Sequence, residues 1–406
     1  MDDATALLIT VTGRDRPGLT SGLCDVLASQ GARIVDMEQV VIRERLILGI
    51  LVSLGAEEAA TRAAVLATAA ALDVSVDFES MSPRRAGGDA VRHYVTVLGQ
   101  PLGARAIAAI ARRIAESGAN IDRIVRLSRY PITSFELLVS GGDPARLRTA
   151  LSQEAASQRI DVGVQRATLY RRAKRLIVMD VDSTLVQGEV IELLAHHAGC
   201  GAEVAAITEQ AMAGDIDFEQ SLRRRVALLE GLPVEAVNDV RDNLVLTPGA
   251  RTLLRTLKRL GFVLAIVSGG FTQITDDLRR RLAIDYAHAN TLEIVEGRLT
   301  GRLVGDVVDR AGKAQALERF AEQAGVPLSQ TVAVGDGAND LDMLARAGLG
   351  IAFNAKPVVR EAADTAVSVP YLDAVLFLLG ITREEIEAAD AEDPTYAAGP
   401  RLPVSE

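Results

Sequence analysis

Cysteine and histidine are scarce in this chain of 406 residues. The two cysteines, Cys24 and Cys200, lie in stretches with helical patterning, which favours buried free thiols over a disulfide framework. Neither cysteine is followed by an arginine six positions later, and the four histidines form no obvious nucleophilic or metal-ligand set. Catalysis by a cysteine or histidine nucleophile is therefore disfavoured.

Long apolar runs, blocks of like charge and a phosphate-binding P-loop are also lacking. The most apolar stretch, Leu46 to Leu54, is far too short to span a bilayer, and the first residues, Met1 to Ala4, lack the basic start of a signal peptide. The net charge is −10 without a charge block that suggests a nucleic-acid arm, and no G-x-x-x-x-G-K-[ST] loop occurs. We expect a cytoplasmic protein that binds neither membranes nor nucleic acids.

A short apolar run within Arg175–Leu185 ends in two carboxylates, Asp180 and Asp182. In an extended chain, side chains at i and i+2 share a face and their Cα atoms lie roughly 6.5–7 Å apart. One carboxylate could then act as a nucleophile while the other carries a proton. For this segment alone, a solvated pair of strand-end aspartates is the alternative.

Polar residues follow further apolar runs downstream, at Val263–Gly270 and Thr331–Asp340, with one of only four lysines between them. Ligands bind at the carboxyl ends of strands in an open parallel sheet, so these polar side chains are expected to converge on the two aspartates. In chain order they are Ser268, Gly269, Lys313, Asp336, Asn339 and Asp340.

This series of D-x-D-x-[TV], S-G-G, a lone lysine and G-D-G-x-N-D resembles the haloacid-dehalogenase superfamily of phosphohydrolases, over about residues 174–385. The resemblance implies an α/β fold with a doubly wound parallel-sheet core. The mostly helical stretch at about residues 188–247 would form a cap over the site. Residues 386–406, rich in acids, Ala, Pro and Gly, are expected to form a flexible tail.

The first part of the chain reads as two copies of one pattern, at residues 1–83 and 89–168, joined by a linker at Ser82–Gly88. The two Gly-Ala-x-Ile segments, which begin at Gly31 and Gly118, lie 87 residues apart and indicate a duplication. The pattern resembles the βαββαβ ACT domain, which binds small effectors.

The D-R-x-G turn of the first copy contains Asp15 and Gly18, and the second copy keeps only Gly103 at the corresponding turn. The resemblance implies effector binding at these residues. The alternative is that both glycines only permit tight turns before helices.

The segment Phe218–Val226 of the expected cap indicates the substrate. At helical spacing, Phe218, Leu222 and Arg225 lie on one face, so the arginine needs an anionic partner. A substrate carboxylate could supply it, and Glu189 could receive an ammonium group. An internal salt bridge of Arg225 and a glutamate favoured by a helix dipole at 189 are the alternatives.

With these features, nearly the whole chain resembles the phosphoserine phosphatase family, in particular the actinobacterial form with tandem ACT domains. The resemblance implies Mg²⁺-dependent hydrolysis of O-phospho-L-serine to L-serine, the last step of serine biosynthesis, through an aspartyl-phosphate on Asp180, with Asp182 as general acid and base. It also implies that Mg²⁺ binds to Asp180, Asp336 and the backbone carbonyl of Asp182. Lys313, Ser268 and Gly269 would contact the phosphate, with Asn339 nearby. The serine moiety would be contacted by Glu189, Phe218 and Arg225.

We further expect L-serine as an ACT ligand and a homodimer formed through the ACT domains. Another small-molecule phosphatase or phosphotransferase of the same superfamily is one alternative. A non-catalytic amino-acid sensor is the other.

Overall fold

The computed structural model describes residues 6–54, 58–81, 91–213 and 215–393. The chain forms two compact units, residues 1–90 and 91–406. The linker predicted at Ser82–Gly88 lies outside the described residues. None of the helices in the described ranges has the length and apolarity needed to cross a membrane.

The first unit contains one βαββαβ module. Its elements are β1 (Ala6–Arg14), α1 (Leu19–Ser29), β2 (Arg33–Ile42), β3 (Arg45–Ser53), α2 (Glu58–Ala71) and β4 (Val74–Met81). The strands form an antiparallel sheet in the order β2-β3-β1-β4. Alternation along β1 buries Leu7, Ile9 and Val11 completely, and the two helices pack against that face.

A second βαββαβ module begins the second unit. Its elements are β5 (Arg92–Gly99), α3 (Ala104–Glu116), β6 (Ala119–Ser128), β7 (Thr133–Gly141), α4 (Pro144–Gln158) and β8 (Asp161–Arg166). The strand order β6-β7-β5-β8 repeats that of the first module position by position. The duplicated βαββαβ fold predicted from the sequence is therefore confirmed.

The C-terminal domain follows a short helix, α5 (Leu169–Arg172). Its elements are β9 (Leu176–Met179), α6 (Val190–Ala198), α7 (Gly201–Ala213), α8 (Phe218–Ala227), α9 (Val234–Asp242), α10 (Ala250–Arg259), β10 (Val263–Phe271), α11 (Thr272–Arg281), β11 (Tyr286–Val295), β12 (Arg298–Val304), α12 (Arg310–Gln323), β13 (Thr331–Gly335), α13 (Leu341–Arg346), β14 (Gly350–Phe353), α14 (Pro357–Ala362), β15 (Thr365–Val367), α15 (Val375–Leu378) and α16 (Arg383–Ala391).

The sheet of this domain has the order β12-β11-β10-β9-β13-β14-β15. All neighbouring strands are parallel except β11 and β12, which form an antiparallel pair. Strand β9 is buried on both faces, with Ile177 in one apolar cluster and Val178 in the other. A continuous apolar strand between two helical layers is what a doubly wound core requires.

Helices α6 to α9 form the cap, between β9 and α10. An antiparallel bridge between Val186 and Leu246 joins the two chain segments that enter and leave it. The helix α8 lies where Phe218–Val226 was expected to be helical.

A feature that the sequence did not predict ties this cap to the core. The loop between α8 and α9 makes backbone hydrogen bonds with the β11–β12 hairpin. Gly231 donates to the Leu299 carbonyl at 2.8 Å, Leu299 donates to Leu232 at 2.9 Å, and Val234 donates to Gly297 at 2.9 Å. The core hairpin therefore holds the segment that follows the C-terminal end of α8. This contact adds to the Val186–Leu246 bridge between the two segments that connect the cap to the core.

The second module packs directly on the C-terminal domain. Leu98 of β5 lies in the same apolar cluster as Ile177 of β9. The buried Arg171 of α5 forms an ion pair with Glu136 and stacks over the Tyr94 ring, with its Cζ 4.2 Å from the ring centroid. These contacts explain why the second module and the C-terminal domain form one compact unit.

Two sequence-based expectations need correction. Residues 386–391, predicted as part of a flexible tail, belong to helix α16, where Asp390 forms ion pairs with Arg255 and Arg259 at 2.5 Å each; residues 394–406 lie outside the described part. Cys200 lies in the turn between α6 and α7 rather than in a helix, and both cysteines are free and only partly buried.

Candidate active site

Three neighbouring parallel strands carry polar residues to the same edge of the sheet. Asp180 follows β9, Ser268 lies near the end of β10, and Asp336 follows β13. Since β9 lies between the other two strands, these side chains gather as the sequence predicts.

Lys313, on the first turn of α12, is the positive centre of this site. Its Nζ lies 2.8 Å from Asp180 Oδ1 and 2.7 Å from Asp340 Oδ1, and all three side chains are buried. Burial alone would lower the pKa of Lys313, but the two carboxylates outweigh it and raise the pKa above its ordinary value. The lysine therefore stays cationic in a dry pocket.

Asp180 directly precedes the turn Val181–Leu185, in which Asp182 and Ser183 have non-helical backbone angles. Its Oδ1 accepts a hydrogen bond from the Val181 N–H at 2.8 Å in addition to the contact with Lys313. Within the described residues, no donor contacts its Oδ2. Burial, helped by the charge of Asp340, raises the pKa of Asp180 well above its ordinary value.

Oxygen atoms of Asp180, Asp336 and Asp340 lie within 4.8 Å of one another. Burial and the neighbouring Asp340 raise the pKa of Asp336 to about 6. Carboxylates this close repel one another unless a proton or a cation lies between them, and oxygen donors of this kind suit Mg²⁺. The residues present therefore fit a magnesium ion.

Asp340 is less suited than the other two to bind the ion. One of its oxygens accepts from Lys313 and the other from the Gly337 N–H at 3.0 Å. The side chain of Asp182 is not part of the carboxylate cluster. Asp180 and Asp336 are thus the side chains with an oxygen left for a metal.

Both carboxylate oxygens of Asp182 are held by hydrogen bonds. Oδ1 accepts from the Val190 N–H at the start of α6 at 2.8 Å, and Oδ2 accepts from the Ser268 hydroxyl at 3.0 Å. Burial raises the pKa of Asp182, although the Val190 hydrogen bond opposes the shift. A carboxylic acid with a raised pKa, held two residues from Asp180, suits general acid and base catalysis.

Glu189 and Arg225 lie on the cap side of the site. Glu189 accepts from the Ser183 hydroxyl at 2.9 Å, and burial, together with Asp182, raises its pKa to about 7. Burial lowers the pKa of Arg225, whose one hydrogen bond among the described residues is a long one of 3.4 Å from Nε to the Ser221 carbonyl. Neither side chain forms an ion pair in the described part of the chain.

Phe218 brings the cap into contact with the phosphate side. Its Cζ lies 3.0 Å from the point where a Cβ on Gly269 would stand, so the ring would have to shift by a few tenths of an ångström to admit a side chain at 269. Asn339 is half-buried and folds over Gly337, where a Cβ would come within 2.1 Å of its Oδ1. The structure thus places Phe218 beside Gly269 and Asn339 beside Gly337.

The predicted effector residues lie in the two βαββαβ modules. Asp15 and Gly18 lie in the turn between β1 and α1, and Gly18 has a φ of +94°. Gly103 precedes α3 with a φ of −86°, which any residue adopts. A positive φ therefore requires glycine only at the first of the two turns.

Two polar residues that form hydrogen bonds within the site, Thr184 and Asn290, were not predicted from the sequence. Thr184 donates to Asp336 Oδ1 at 2.8 Å and orients that carboxylate; it is the last residue of the D-x-D-x-[TV] segment, so a signal existed. Asn290 of β11 contacts the Gly269 carbonyl at 2.8 Å, and no motif indicates it.

Comparisons with known proteins agree with the domain organisation of the chain. Residues 177–345 match the family of haloacid dehalogenase-like hydrolases, and residues 5–79 and 91–165 each match an ACT domain. A solved structure of a probable phosphoserine phosphatase from Vibrio cholerae is 36% identical with a TM-score of 0.57, covering 76% of this chain and 91% of that one.

Full-length relatives are closer in sequence. Phosphoserine phosphatase of Streptomyces coelicolor is 59% identical over 99% of this chain and 98% of that protein. Phosphoserine phosphatase SerB2 of Mycobacterium tuberculosis is 54% identical over 97% of each chain. Identity at this level over both modules and the C-terminal domain shows that the chain belongs to the phosphoserine phosphatase family.

Proposed function

We propose that the protein hydrolyses O-phospho-L-serine to L-serine and phosphate. The observation that carries the proposal is the pairing of a buried Asp180–Lys313 centre with an unpaired Glu189 and Arg225 on the cap side. The centre suits a phosphate, and the two cap charges suit an ammonium and a carboxylate.

In the proposed mechanism, Asp180 attacks the phosphorus atom in line through its Oδ2, which forms an aspartyl-phosphate and breaks the bond to the serine oxygen. Asp182 donates its proton to that oxygen and later takes a proton from the water that hydrolyses the acyl-phosphate. Lys313 neutralises charge on the phosphoryl oxygens, and the Gly269 amide donates a hydrogen bond to them. The Ser268 hydroxyl has one proton, which it donates either to Asp182 Oδ2 or to a phosphoryl oxygen.

Asp180 and Asp336 would hold Mg²⁺, with the backbone carbonyl of Asp182 as a further ligand. When bound, the ion supplies additional positive charge next to the transferring phosphoryl group.

A panel of phosphate monoesters tests the substrate. We expect kcat/KM for O-phosphoserine to exceed by about 100-fold the values for phosphoethanolamine, which lacks the carboxylate, and phospholactate, which lacks the ammonium group. Equal values across the panel would indicate a less selective phosphatase of the same superfamily. Transfer of phosphate to labelled serine, measured in the same reactions, would instead indicate a phosphotransferase.

We also propose that L-serine binds to the ACT modules and that these modules form a homodimer. ACT domains bind small effectors, and serine is the product of the proposed reaction. Strand β2 supports the dimer, because it is an edge strand with exposed apolar side chains at Val35, Val40 and Ile42. Sedimentation of the full chain with and without L-serine tests both statements.

A further inference from the structure

Asn290 is a buried amide on β11, beside an interruption in the ladder of β10. The two strands pair in parallel up to Val267 opposite His288, and pairing resumes only at Phe271 opposite Asn290. The residues between leave the ladder, so their backbone groups need other partners.

The side chain of Asn290 supplies partners on both sides. Its Nδ2 donates to the Gly269 carbonyl at 2.8 Å, and its Oδ1 accepts from the Val308 N–H at 2.8 Å. The residue is only 2% exposed. Because a carbonyl only accepts and an N–H only donates, these two partners allow one orientation of the amide.

Three hydrogen bonds in series lead from this amide to Asp182. The Gly269 carbonyl belongs to the same planar peptide unit as the Gly270 N–H, which donates to Ser268 Oγ at 2.7 Å. The Ser268 hydroxyl in turn donates to Asp182 Oδ2 at 3.0 Å. Rotation of that peptide unit would move the serine hydroxyl away from the aspartate.

The other side of the amide leads to Lys313. Val308 precedes Asp309, whose side chain accepts from the Gly312 N–H at 2.7 Å and caps helix α12. Asn290 thus links the segment Ser268–Gly270, which we call the phosphate loop, to the start of the helix that carries the lysine.

We infer that Asn290 is a positioning residue that orients the general acid Asp182 through the Gly269–Gly270 peptide unit and the hydroxyl of Ser268. The inference rests on the proposed function insofar as Asp182 acts as the general acid. Asn290 does not touch the reacting atoms. It matters most when the leaving group needs a proton, because that is the step in which Asp182 donates one.

The test is the dependence of kcat/KM on the leaving group in the variant Asn290→Asp. In its ionised form the new carboxylate keeps the acceptor for Val308 and has no donor for Gly269, so activity is measured at a pH at which that carboxyl group is ionised. In an aryl phosphate series from p-nitrophenyl phosphate to phenyl phosphate, we expect a loss below about threefold for the first and about 10–100-fold for the last, since general acids contribute about 10²–10⁴-fold in all. A parallel loss for every substrate would overturn the inference, because it would show a general structural defect.

Gln273→Glu is the matched control. Gln273 is also an amide that clamps β11, through the Leu292 carbonyl at 3.0 Å and the Leu292 N–H at 3.4 Å, but it does not contact the phosphate loop. We expect it to leave the leaving-group dependence unchanged. If Gln273→Glu steepened that dependence as much as Asn290→Asp, the role assigned to Asn290 would be wrong.

A double-mutant comparison tests whether Asn290 acts on Asp182 through Ser268. It uses Asn290→Ala and therefore remains possible if Asn290→Asp folds poorly. Asn290→Ala should lower kcat/KM for phenyl phosphate in the native background and have little effect in Ser268→Ala, because both changes break the same series of hydrogen bonds. Fully additive losses would contradict the route through Ser268. Wild-type activity on O-phosphoserine tests the proposed function separately, since the aryl series needs no amino-acid recognition.

Discussion

At the phosphate end of the pocket, Lys313 lies in direct contact with Asp180 and Asp340, and water is excluded from all three. At the amino-acid end, Glu189 and Arg225 are also partly buried, yet neither has a direct ion partner in the described part of the chain. An ion pair completed within the protein fixes geometry before substrate arrives. Charges left unpaired raise the cost of the empty state and are satisfied only by a ligand with the complementary groups.

The two ends of the pocket are therefore expected to have different roles. The phosphate end supplies chemistry that any phosphate monoester can use, whereas the amino-acid end selects among monoesters. Substitutions at the first end should therefore affect all substrates alike, and those at the second should affect O-phosphoserine alone. The following predictions test that contrast.

Asp180→Asn should give the largest effect, a loss of about 10⁴-fold or more in kcat on both O-phosphoserine and p-nitrophenyl phosphate, because the amide is not a comparable nucleophile. Single-turnover assays of the purified variant measure it. Retention of more than about a tenth of the native rate would show that another group attacks phosphorus.

Removal of divalent cations should lower activity on both substrates by at least about 100-fold, since a bound metal contributes several kcal/mol of charge stabilisation. Adding Mg²⁺ back should restore the rate, whereas excess Ca²⁺ should inhibit it because Ca²⁺ favours a larger, looser oxygen shell. Full activity after exhaustive chelation would contradict the assignment of Asp180 and Asp336 as ligands.

Arg225→Ala should reduce kcat/KM for O-phosphoserine by roughly 100-fold, because a charge-assisted hydrogen bond to the substrate carboxylate is lost. The loss on p-nitrophenyl phosphate should stay below about threefold. Arg223→Ala is the matched control on the same helix, since that side chain is exposed and pairs with Glu219. Equal losses of the Arg225 variant on both substrates would favour a structural salt bridge.

Glu189 should make substrate selection depend on pH, because burial and Asp182 raise its pKa to about 7. Below that pH the group becomes neutral and no longer attracts an ammonium, so the ratio of kcat/KM for O-phosphoserine to that for p-nitrophenyl phosphate should fall about tenfold per pH unit. The ratio cancels the ionisation of the shared site. A Glu189→Gln variant should give a flat ratio, and a flat ratio in the native protein would refute the assignment.

The smallest effect is expected far from both ends of the pocket. Gly18→Ala forces a side chain into a φ of +94°, a strain of about 1 kcal/mol, and should weaken the effect of L-serine several-fold while leaving catalysis without serine unchanged. Gly103→Ala, at a φ of −86°, is the matched control. An unchanged serine response in the Gly18 variant, measured by inhibition curves, would locate serine inhibition at the catalytic pocket.

A Cβ at Gly18 would meet no protein atom within 4 Å, so the substitution acts on the protein through backbone strain rather than through a clash with neighbouring residues. Substitutions also test the ACT modules better than truncation does. The second module shares an apolar cluster with the C-terminal domain, so removing it would expose that cluster.

Strand-end positions are the part of the site that sequence reasoning predicts well. Asp180, Ser268 and Asp336 each follow or end an apolar run, and parallel strands bring such residues to one edge wherever the strands lie in the sheet. Helix α8 was predictable for a similar reason, because a periodic pattern is a local property.

Contacts between distant segments were not predictable in this way. Arg171 meets Glu136, and α8 is held by a hairpin about seventy residues downstream, as in the hydrogen bond of 2.7 Å from Arg298 to the Gly231 carbonyl. Nothing in the local composition of these segments indicates their partners. The same limitation kept Asn290 out of the sequence argument and made α16 read as a flexible tail.

The sequence by itself determined the chemical groups, their order along the chain and the duplicated βαββαβ pattern, because each depends on residue type and short-range periodicity. Tertiary structure alone decided which of those groups are buried together. The carboxylates of Asp180 and Asp340 keep the buried Lys313 charged, and burial raises the pKa of Glu189. The fold also brings oxygens of Asp180 and Asp336 within 4.8 Å of one another. Electrostatic interactions depend on distance and on the exclusion of water, and the folded chain establishes both.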